Sequence, residues 1–150
     1  MVKPDCEDLM FPFANASTAG IGTISTYKWD FGNGRKSGQR NENILYPDSG
    51  TYKVNLIVTN SFGCHDTNTQ NLRVYPRAIA DFKYDPYIPL MTQNVAFTNN
   101  SKIDTKWSWD FGDGYFDMVR DPQHIYKMYG NYNITLIADN QYGCADTMTK

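Results

Sequence analysis

The sequence predicts an all-β fold made of two tandem immunoglobulin-like antiparallel β-sandwiches. Three observations predict it: an internal repeat, apolar residues that alternate with polar ones, and Gly-rich turns between the alternating runs. The segment that starts at Trp29 returns at Trp109, 80 residues further along a chain of 150 residues. Matches hold this register without a gap as far as Thr67, so we divide the chain into repeat 1 (residues 1–76) and repeat 2 (residues 77–150).

The most specific repeated feature is a six-residue segment at the end of a predicted central strand. In repeat 1 its residues are Trp29, Asp30, Phe31, Gly32, Asn33 and Gly34. In repeat 2 they are Trp109, Asp110, Phe111, Gly112, Asp113 and Gly114. Gly, Asn and Asp tolerate positive φ, so each segment predicts a tight hairpin turn that follows a strand with a buried Trp.

Apolar and polar residues alternate along further segments, as in half-buried antiparallel strands. Residues 52–58 place Tyr52 and three aliphatic side chains on one face, and residues 132–138 repeat this pattern from Tyr132. Additional strands are expected near residues 11–15, 66–74 and 94–98. Each repeat then has about seven short strands, and no window has helical spacing. Tyr52 and Tyr132 begin the penultimate strands, where a tyrosine corner is expected.

The ends of the two repeats do not match. Repeat 2 opens with residues 78–82, which have no counterpart in repeat 1, and repeat 1 closes with residues 70–76, which have none in repeat 2. We therefore expect a fragment in which repeat 1 lacks its first strand and repeat 2 most of its last. Open sheet edges recruit other chains, so strand exchange or dimers are expected. Only residues 75–77 separate the repeats, which predicts a semi-rigid linker.

Composition and charge exclude several partners. The formal net charge is −2 and no basic run occurs, so nucleic acid is not an expected partner. No stretch approaches the roughly 18 apolar residues of a membrane span, which predicts no membrane insertion. Residues 1–4 are followed by no apolar segment and do not resemble a signal peptide.

These motifs resemble those of the PKD (polycystic kidney disease) domain, an immunoglobulin-like module of animal polycystins and of many bacterial surface and secreted proteins. The typical Trp-Asp-Phe-Gly-Asp-Gly segment is complete at residues 109–114, and repeat 1 departs from it only at Asn33. A Gly-x-Tyr that opens a strand ending in Asn also matches, at residues 50–60 and 130–140. The resemblance covers nearly the whole chain and implies the same sandwich fold.

The resemblance also implies a setting and a set of partners. The Gly-Cys-x-Asp-Thr endings at residues 63–67 and 143–147 are similar to repeats in large secreted proteins of Bacteroidetes-like bacteria. This implies an extracellular or cell-surface location, with the neighbouring domains of the same polypeptide as partners. PKD modules serve as spacers, adhesins and accessory domains of secreted enzymes, and fold alone does not choose among these roles.

A disulfide is a further implication of the resemblance. Similar bacterial repeats often carry Cys at the positions of Cys6 and Cys64, so a Cys6–Cys64 bond is expected in an oxidising compartment. The alternative is a pair of reduced thiols.

Acidic and imidazole side chains are the candidate metal ligands and catalysts of this chain. Asp110, Asp113 and Asp117 lie near one turn and are candidates for calcium, although Asp also serves simply to make turns. His65 and His124 occupy unmatched positions and are expected to be solvated surface residues. No nucleophile, base and acid recur at a shared place, so we expect neither an enzyme nor a cofactor.

Aromatic residues in repeat 2 are the candidate ligand-binding side chains. Tyr115 and Phe116 follow the hairpin, and Tyr84, Tyr87 and Met91 form a second cluster. Exposed rings stack on sugars or anchor protein partners, whereas the alternative is that they cover the open end of the sandwich. The sequence therefore predicts a spacer or adhesion segment, with direct binding of polysaccharide or protein, or an accessory role in a secreted hydrolase, as the alternatives.

Overall fold

A computed structural model describes residues 5–90 and 92–150 of the chain. It confirms the all-β fold class, because every regular element in this part is a strand. No helix in the described part is long and apolar enough to cross a bilayer. The chain divides into two compact units, residues 1–76 and 77–150. Residues 1–4, and Met91 of the second aromatic cluster, lie outside the described residues.

Repeat 1 consists of a four-stranded and a two-stranded antiparallel sheet. Its strands are β1 (Met10–Phe13), β2 (Ile24–Asp30), β3 (Lys36–Ser37), β4 (Glu42–Leu45), β5 (Gly50–Asn60) and β6 (His65–Val74). The larger sheet has the order β3-β2-β5-β6, and the smaller sheet pairs β1 with β4. The predicted segments 11–15 and 66–74 thus correspond to β1 and β6.

Repeat 2 repeats this topology with one more strand. Its strands are β7 (Phe82–Asp85), β8 (Asn94–Asn99), β9 (Lys106–Asp110), β10 (Phe116–Asp117), β11 (Gln123–Ile125), β12 (Thr135–Asp139) and β13 (Asp146–Thr149). The sheets have the orders β10-β9-β12-β13 and β11-β8-β7. Seven strands match the prediction for this repeat, whereas six are found among the described residues of repeat 1.

Each repeat has a core of its own, made by the alternating apolar residues of facing strands. Trp29 stands opposite Leu56 in the β2–β5 ladder, and Trp109 stands opposite Leu136 in the β9–β12 ladder. The core of repeat 1 contains Phe11, Trp29, Phe31, Ile44, Tyr46, Val54, Leu56 and Val74. The core of repeat 2 contains Phe82, Val95, Phe97, Trp109, Phe111, Ile134 and Leu136.

The two repeats differ at one sheet edge. In repeat 2, β7 pairs with β8 over four residues, from Phe82 opposite Asn99 to Asp85 opposite Ala96. In repeat 1, β1 pairs with β4 on its inner side, and no named strand of residues 5–90 pairs with its outer side.

Candidate functional site

The repeated Trp side chain closes the core and fixes the strand that follows the hairpin. Trp29 Nε1 donates to the Gln39 carbonyl oxygen at 3.0 Å, and Trp109 Nε1 donates to that of Val119 at 3.0 Å. Each ring stacks on the Phe two residues later, Phe31 in repeat 1. The same donor and the same packing recur in both repeats, which indicates a structural role for Trp.

The first Asp of the motif accepts a hydrogen bond within the turn that follows it. Asp30 Oδ1 accepts the N–H of Gly32 at 3.0 Å, and Asp110 Oδ1 accepts that of Gly112 at 2.9 Å. Gly32 has a φ of 72° and Gly112 a φ of 78°, as the predicted hairpin turn requires. An Asp at this position therefore caps a tight turn, and its carboxylate is engaged by backbone.

A buried Tyr ties the second sheet to this turn. Tyr46 Oη donates to the Phe31 carbonyl oxygen at 2.9 Å, and Tyr126 Oη donates to that of Phe111 at 3.1 Å. Burial, and secondarily the nearby Tyr52, raises the pKa of Tyr46 to about 12. Burial likewise raises the pKa of Tyr126, with a further contribution from Asp113. Tyr46 and Tyr126 occupy matching positions, 80 residues apart in the sequence. That spacing does not indicate which group each hydroxyl contacts.

Tyr46 gives a prediction about alkaline stability. Its pKa of about 12 lies above the ordinary value of 10.0, so between these values the unfolded chain releases the proton while the folded chain keeps it. The free energy of unfolding therefore falls as pH rises above 10.0. Tyr46→Phe should make that fall shallower, and should cost about 1 kcal/mol at neutral pH for the lost hydrogen bond.

Urea denaturation at pH values on both sides of 10.0 checks this expectation. Tyr87→Phe, at an exposed tyrosine, is the matched control and should leave both the neutral stability and the pH slope unchanged. An alkaline slope for Tyr46→Phe as steep as that of the unaltered chain would contradict the assignment.

Tyr52 and Tyr132 have the geometry of a tyrosine corner. Tyr52 Oη donates to the Asp48 carbonyl oxygen at 2.7 Å, and Tyr132 Oη donates to that of Met128 at 2.8 Å. Each bond returns to the backbone four residues earlier, which fixes the entry into the penultimate strand. The position predicted from the sequence therefore has the expected hydrogen bond.

Asp113 and His124 form a pair that was not expected. His124 Nε2 lies 2.7 Å from Asp113 Oδ2, and the His124 side chain is 11% exposed, so its assignment as a solvated residue is wrong. Its ring stacks on Phe111 with centroids 4.3 Å apart. Repeat 1 has Asn33 and Ile44 at the two positions, and the buried Ile44 was the signal that His124 faces inward.

The calcium candidates Asp110, Asp113 and Asp117 are used separately. Asp110 accepts the N–H of Gly112, as described, and Asp117 Oδ1 accepts that of Val119 at 3.0 Å. Asp113 is paired with the imidazole of His124. In the part of the chain that the structure describes, no group of three or more His, Cys, Asp or Glu side chains is placed to hold a metal ion. The arrangement favours the turn-making alternative.

The expected Cys6–Cys64 disulfide does not form. Cys6 lies beside Tyr75 in a parallel bridge, just past the end of β6, whereas Cys64 directly precedes β6. Since β6 has 10 residues, at about 3.3 Å per residue the two cysteines lie roughly 30 Å apart, far beyond bridging distance. Cys64 is an exposed free thiol. Matching cysteine positions in similar repeats were not sufficient to identify a pair.

Tyr115 and Phe116 lie at the surface, as a binding role requires. Phe116 opens β10 and is 68% exposed, and Tyr115 is 53% exposed. Lys127 Nζ lies 5.8 Å from the centre of the Tyr115 ring, so this ring is partly engaged by a cation–π contact. Repeat 1 has Arg35 and Lys36 at these positions, so the aromatic edge belongs to repeat 2 alone.

A second aromatic surface surrounds a cleft of about 420 Å³, called here the repeat 2 cleft. Its lining includes Tyr84, Tyr87, Ile88, Leu90, Met128 and Tyr129. Tyr87 is 78% and Tyr129 84% exposed, which is unusual for rings in a folded domain. Repeat 1 has Asp48 and Ser49 where repeat 2 has Met128 and Tyr129. The cleft is therefore a feature that the shared fold does not require.

Comparison with known protein families agrees with the motifs. A family model described as "PKD domain" matches residues 3–74 and 89–150. The two segments make up most of the chain, and one falls in each compact unit.

Two bacterial proteases are among the similar proteins. The chain is 28% identical over 148 residues to the pre-pro-metalloprotease PrtV of Vibrio cholerae serotype O1. The matched region covers 95% of this chain and 16% of that protein. It is 29% identical over 133 residues to the collagenase ColA of Clostridium perfringens. The matched region covers 86% of this chain and 11% of that protein. The chain thus spans less than a fifth of either relative.

A domain of one of these relatives is among the similar solved structures. The PKD1 domain of the Vibrio cholerae metalloprotease PrtV is 37% identical, with a TM-score of 0.44, over 47% of this chain and 88% of that domain.

Proposed function

The chain belongs to the PKD domain family, and on that premise we propose that it is a non-catalytic extracellular module, a semi-rigid spacer or adhesion segment of a larger secreted or cell-surface protein. One observation carries the proposal: in both repeats the Trp indole N–H and the first Asp of the shared motif form hydrogen bonds with nearby backbone groups. The two tyrosine hydroxyls at matching positions of each repeat, outside this motif, also donate to backbone carbonyl oxygens. Such a motif stabilises a domain and leaves no shared chemical group for catalysis.

The relatives support the setting in a larger polypeptide. Their names describe a metalloprotease and a collagenase, and the chain matches a small share of each. An accessory role beside a secreted hydrolase is therefore one form of the proposal, with the neighbouring domains as partners.

Small-angle scattering tests the spacer role. The linker of residues 75–77 contains Pro76, which restricts the backbone, so we expect the tandem to scatter as a particle of limited flexibility. Inserting Gly-Ser-Gly-Ser between Pro76 and Arg77 should broaden the distribution of interatomic distances. A tandem as flexible as the insertion variant would contradict a semi-rigid spacer.

The repeat 2 cleft favours a second candidate, direct binding of polysaccharide or protein. Exposed tyrosines supply flat apolar faces with a polar edge, a common composition of ligand-binding surfaces. Their absence from the matching surface of repeat 1 is the specific observation, because the fold itself does not need them.

A binding screen against extracellular glycans and matrix proteins separates the two candidates. If the cleft binds, Tyr87→Ala with Tyr129→Ala should weaken a saturable interaction by at least about tenfold, with the fold unchanged. Tyr115→Ala with Phe116→Ala is the matched variant at the other aromatic surface and assigns the site to one or the other. The spacer candidate predicts no saturable ligand, with calcium present or chelated.

A further inference from the structure

The outer face of the larger sheet of repeat 1 is basic. In β2, β5 and β6 the residues that alternate with the core positions point away from the core, and they include Lys28, Lys53 and Arg73. Lys36 of β3 stands opposite Asp30, which is the only acidic residue among the outward strand residues of this sheet. Four cations against one carboxylate give this surface, called here the repeat 1 basic face, a net charge of +3, although the whole chain has a formal net charge of −2.

The register of the strands brings together cations that are far apart in the sequence. Lys53 stands opposite the β6 residue that lies two positions before Arg73, so the Cα atoms of Lys53 and Arg73 are about 8 Å apart. Lys36 stands opposite the β2 residue that lies two positions after Lys28, which gives these two lysines a similar separation. Charges at this distance reinforce one another, because it is shorter than the Debye length of about 10 Å at 0.1 M salt. The basic face therefore exists without any basic run in the sequence.

The cationic groups are accessible to a ligand. Lys28 and Lys53 are exposed and form no ion pair within the described part of the chain. Lys36 Nζ lies 3.5 Å from Asp30 Oδ2, but the Lys36 side chain is 74% exposed, so this pair is weak. Arg73 Nη1 donates to Thr51 Oγ1 at 2.9 Å. That bond orients the guanidinium and uses one of its five N–H donors.

Uncharged polar side chains lie between the cations. Asn55 stands opposite Thr69 in the β5–β6 ladder, and Thr69 Oγ1 donates to Asn55 Oδ1 at 2.7 Å. Thr67 and Asn71 lie on the same face of β6. Hydroxyl and amide groups both donate and accept hydrogen bonds, as the hydroxyl groups of a sugar require. The face thus combines positive charge with groups suited to a carbohydrate.

The matching face of repeat 2 lacks this charge. Uncharged residues take the positions of the three lysines there, namely Ser108, Phe116 and Asn133. The outward strand residues of its larger sheet include one cation, Lys106, and two carboxylates, Asp110 and Asp139. Repeat 2 therefore has a net charge of −1 on the face where repeat 1 has +3. Because both repeats form the same sandwich, the fold does not require the cations of repeat 1.

We propose that the repeat 1 basic face binds an acidic polysaccharide whose sugars carry carboxylate groups. The lysines are compact point charges that pair with single carboxylates along the polymer, and the Thr and Asn side chains bond to its hydroxyl groups. This site belongs to repeat 1, whereas the cleft discussed above belongs to repeat 2, so the inference goes beyond the proposed function.

Other polyanionic partners fit the face less well. Single-stranded nucleic acid is held by aromatic side chains on which bases stack, and the outward strand residues of this face include no aromatic ring. A lipid surface is held by apolar side chains that enter it, and Ile57 is the only apolar residue among the same outward positions. A polar, flat and positively charged face matches a hydrated acidic polymer better than either.

Oligogalacturonate labelled with fluorescein provides the probe. Titrated with the purified 150-residue chain at low salt, it should show saturable anisotropy that weakens as salt is added. Lys28→Ser with Lys53→Asn, which installs the residues of repeat 2, should weaken binding by at least about tenfold. Lys83→Ser with Lys102→Asn removes the same charge from exposed positions of repeat 2 and should change the affinity by less than about twofold.

Lys36→Gln keeps the test decisive if the double variant fails to fold. Its side chain is 74% exposed, so the substitution leaves the core intact, and it should weaken binding by about threefold. Neutral maltooligosaccharide should not displace the probe. No saturable binding, or equal losses for the two double variants, would overturn the proposal. Tighter binding of dextran sulfate, a single-stranded oligonucleotide or anionic lipid vesicles at the same salt concentration would also overturn it.

Discussion

Gly112→Ala is expected to lower the free energy of unfolding of repeat 2 by about 3 kcal/mol. Gly112 has a φ of 78°, which costs a residue with a Cβ about 1–2 kcal/mol. The added Cβ would lie 2.7 Å from the backbone oxygen of Asn133 and 3.1 Å from its nitrogen. Because both atoms belong to the main chain, no side chain can turn away to relieve the overlap. Urea denaturation followed by hydrogen exchange in repeat 2 measures the loss.

Gly114→Ala is the matched control in the same hairpin. Gly114 also has a positive φ, of 91°, but an added Cβ would meet nothing within 4 Å. Its expected cost is about 1 kcal/mol. The backbone strain destabilises the folded state, and the lower conformational entropy of the unfolded chain with Ala offsets part of that strain. Equal losses for the two variants would show that the close approach to Asn133 contributes nothing. A Cβ added at Gly32 would lie 2.7 Å from the backbone oxygen of Lys53, so Gly32→Ala should destabilise repeat 1 as Gly112→Ala destabilises repeat 2.

These hairpins show what local sequence could predict. Positive φ is a property of single residues, so Gly32 and Gly112 identified the turns and the strands that precede them. Alternation from Tyr52 and from Tyr132 likewise identified the penultimate strands and the tyrosine corner, since both depend on a few consecutive residues.

The features that sequence analysis missed depend on residues far apart in the chain. Whether Cys6 could reach Cys64 depended on which end of β6 each lies at, and spacing does not report that. The Asp113–His124 pair joins a turn to the opposite sheet, and a lone histidine has no periodic signal.

Function was less predictable than fold for a physical reason. The repeated residues, such as Trp29 and Trp109, are the ones that build the sandwich, so they identify a family without indicating a ligand. Residues that differ between the repeats are free of that constraint. Tyr87 and Tyr129 are of this kind, and for that reason they are better candidates for binding than any residue of the shared motif.

Trp109→Ala is expected to have the largest effect, a loss of about 3–5 kcal/mol in the stability of repeat 2. The ring is fully buried, contacts Phe82 and Phe97, and donates to the Val119 carbonyl oxygen, which would lose its partner. Hydrogen exchange resolved by repeat measures the change. The loss should be confined to repeat 2, because each repeat has a separate core.

Trp29→Ala in repeat 1 is the matched variant and should cost about 1 kcal/mol less. Trp29 occupies the same strand position, but one side of it borders an open groove of about 540 Å³ that Phe13 and Leu72 also line. Trp109 has the edge-to-face contact with Phe82 on the matching side. Equal costs for Trp29→Ala and Trp109→Ala would contradict the view that Trp109 is the better supported ring, because Trp109 alone contacts Phe82.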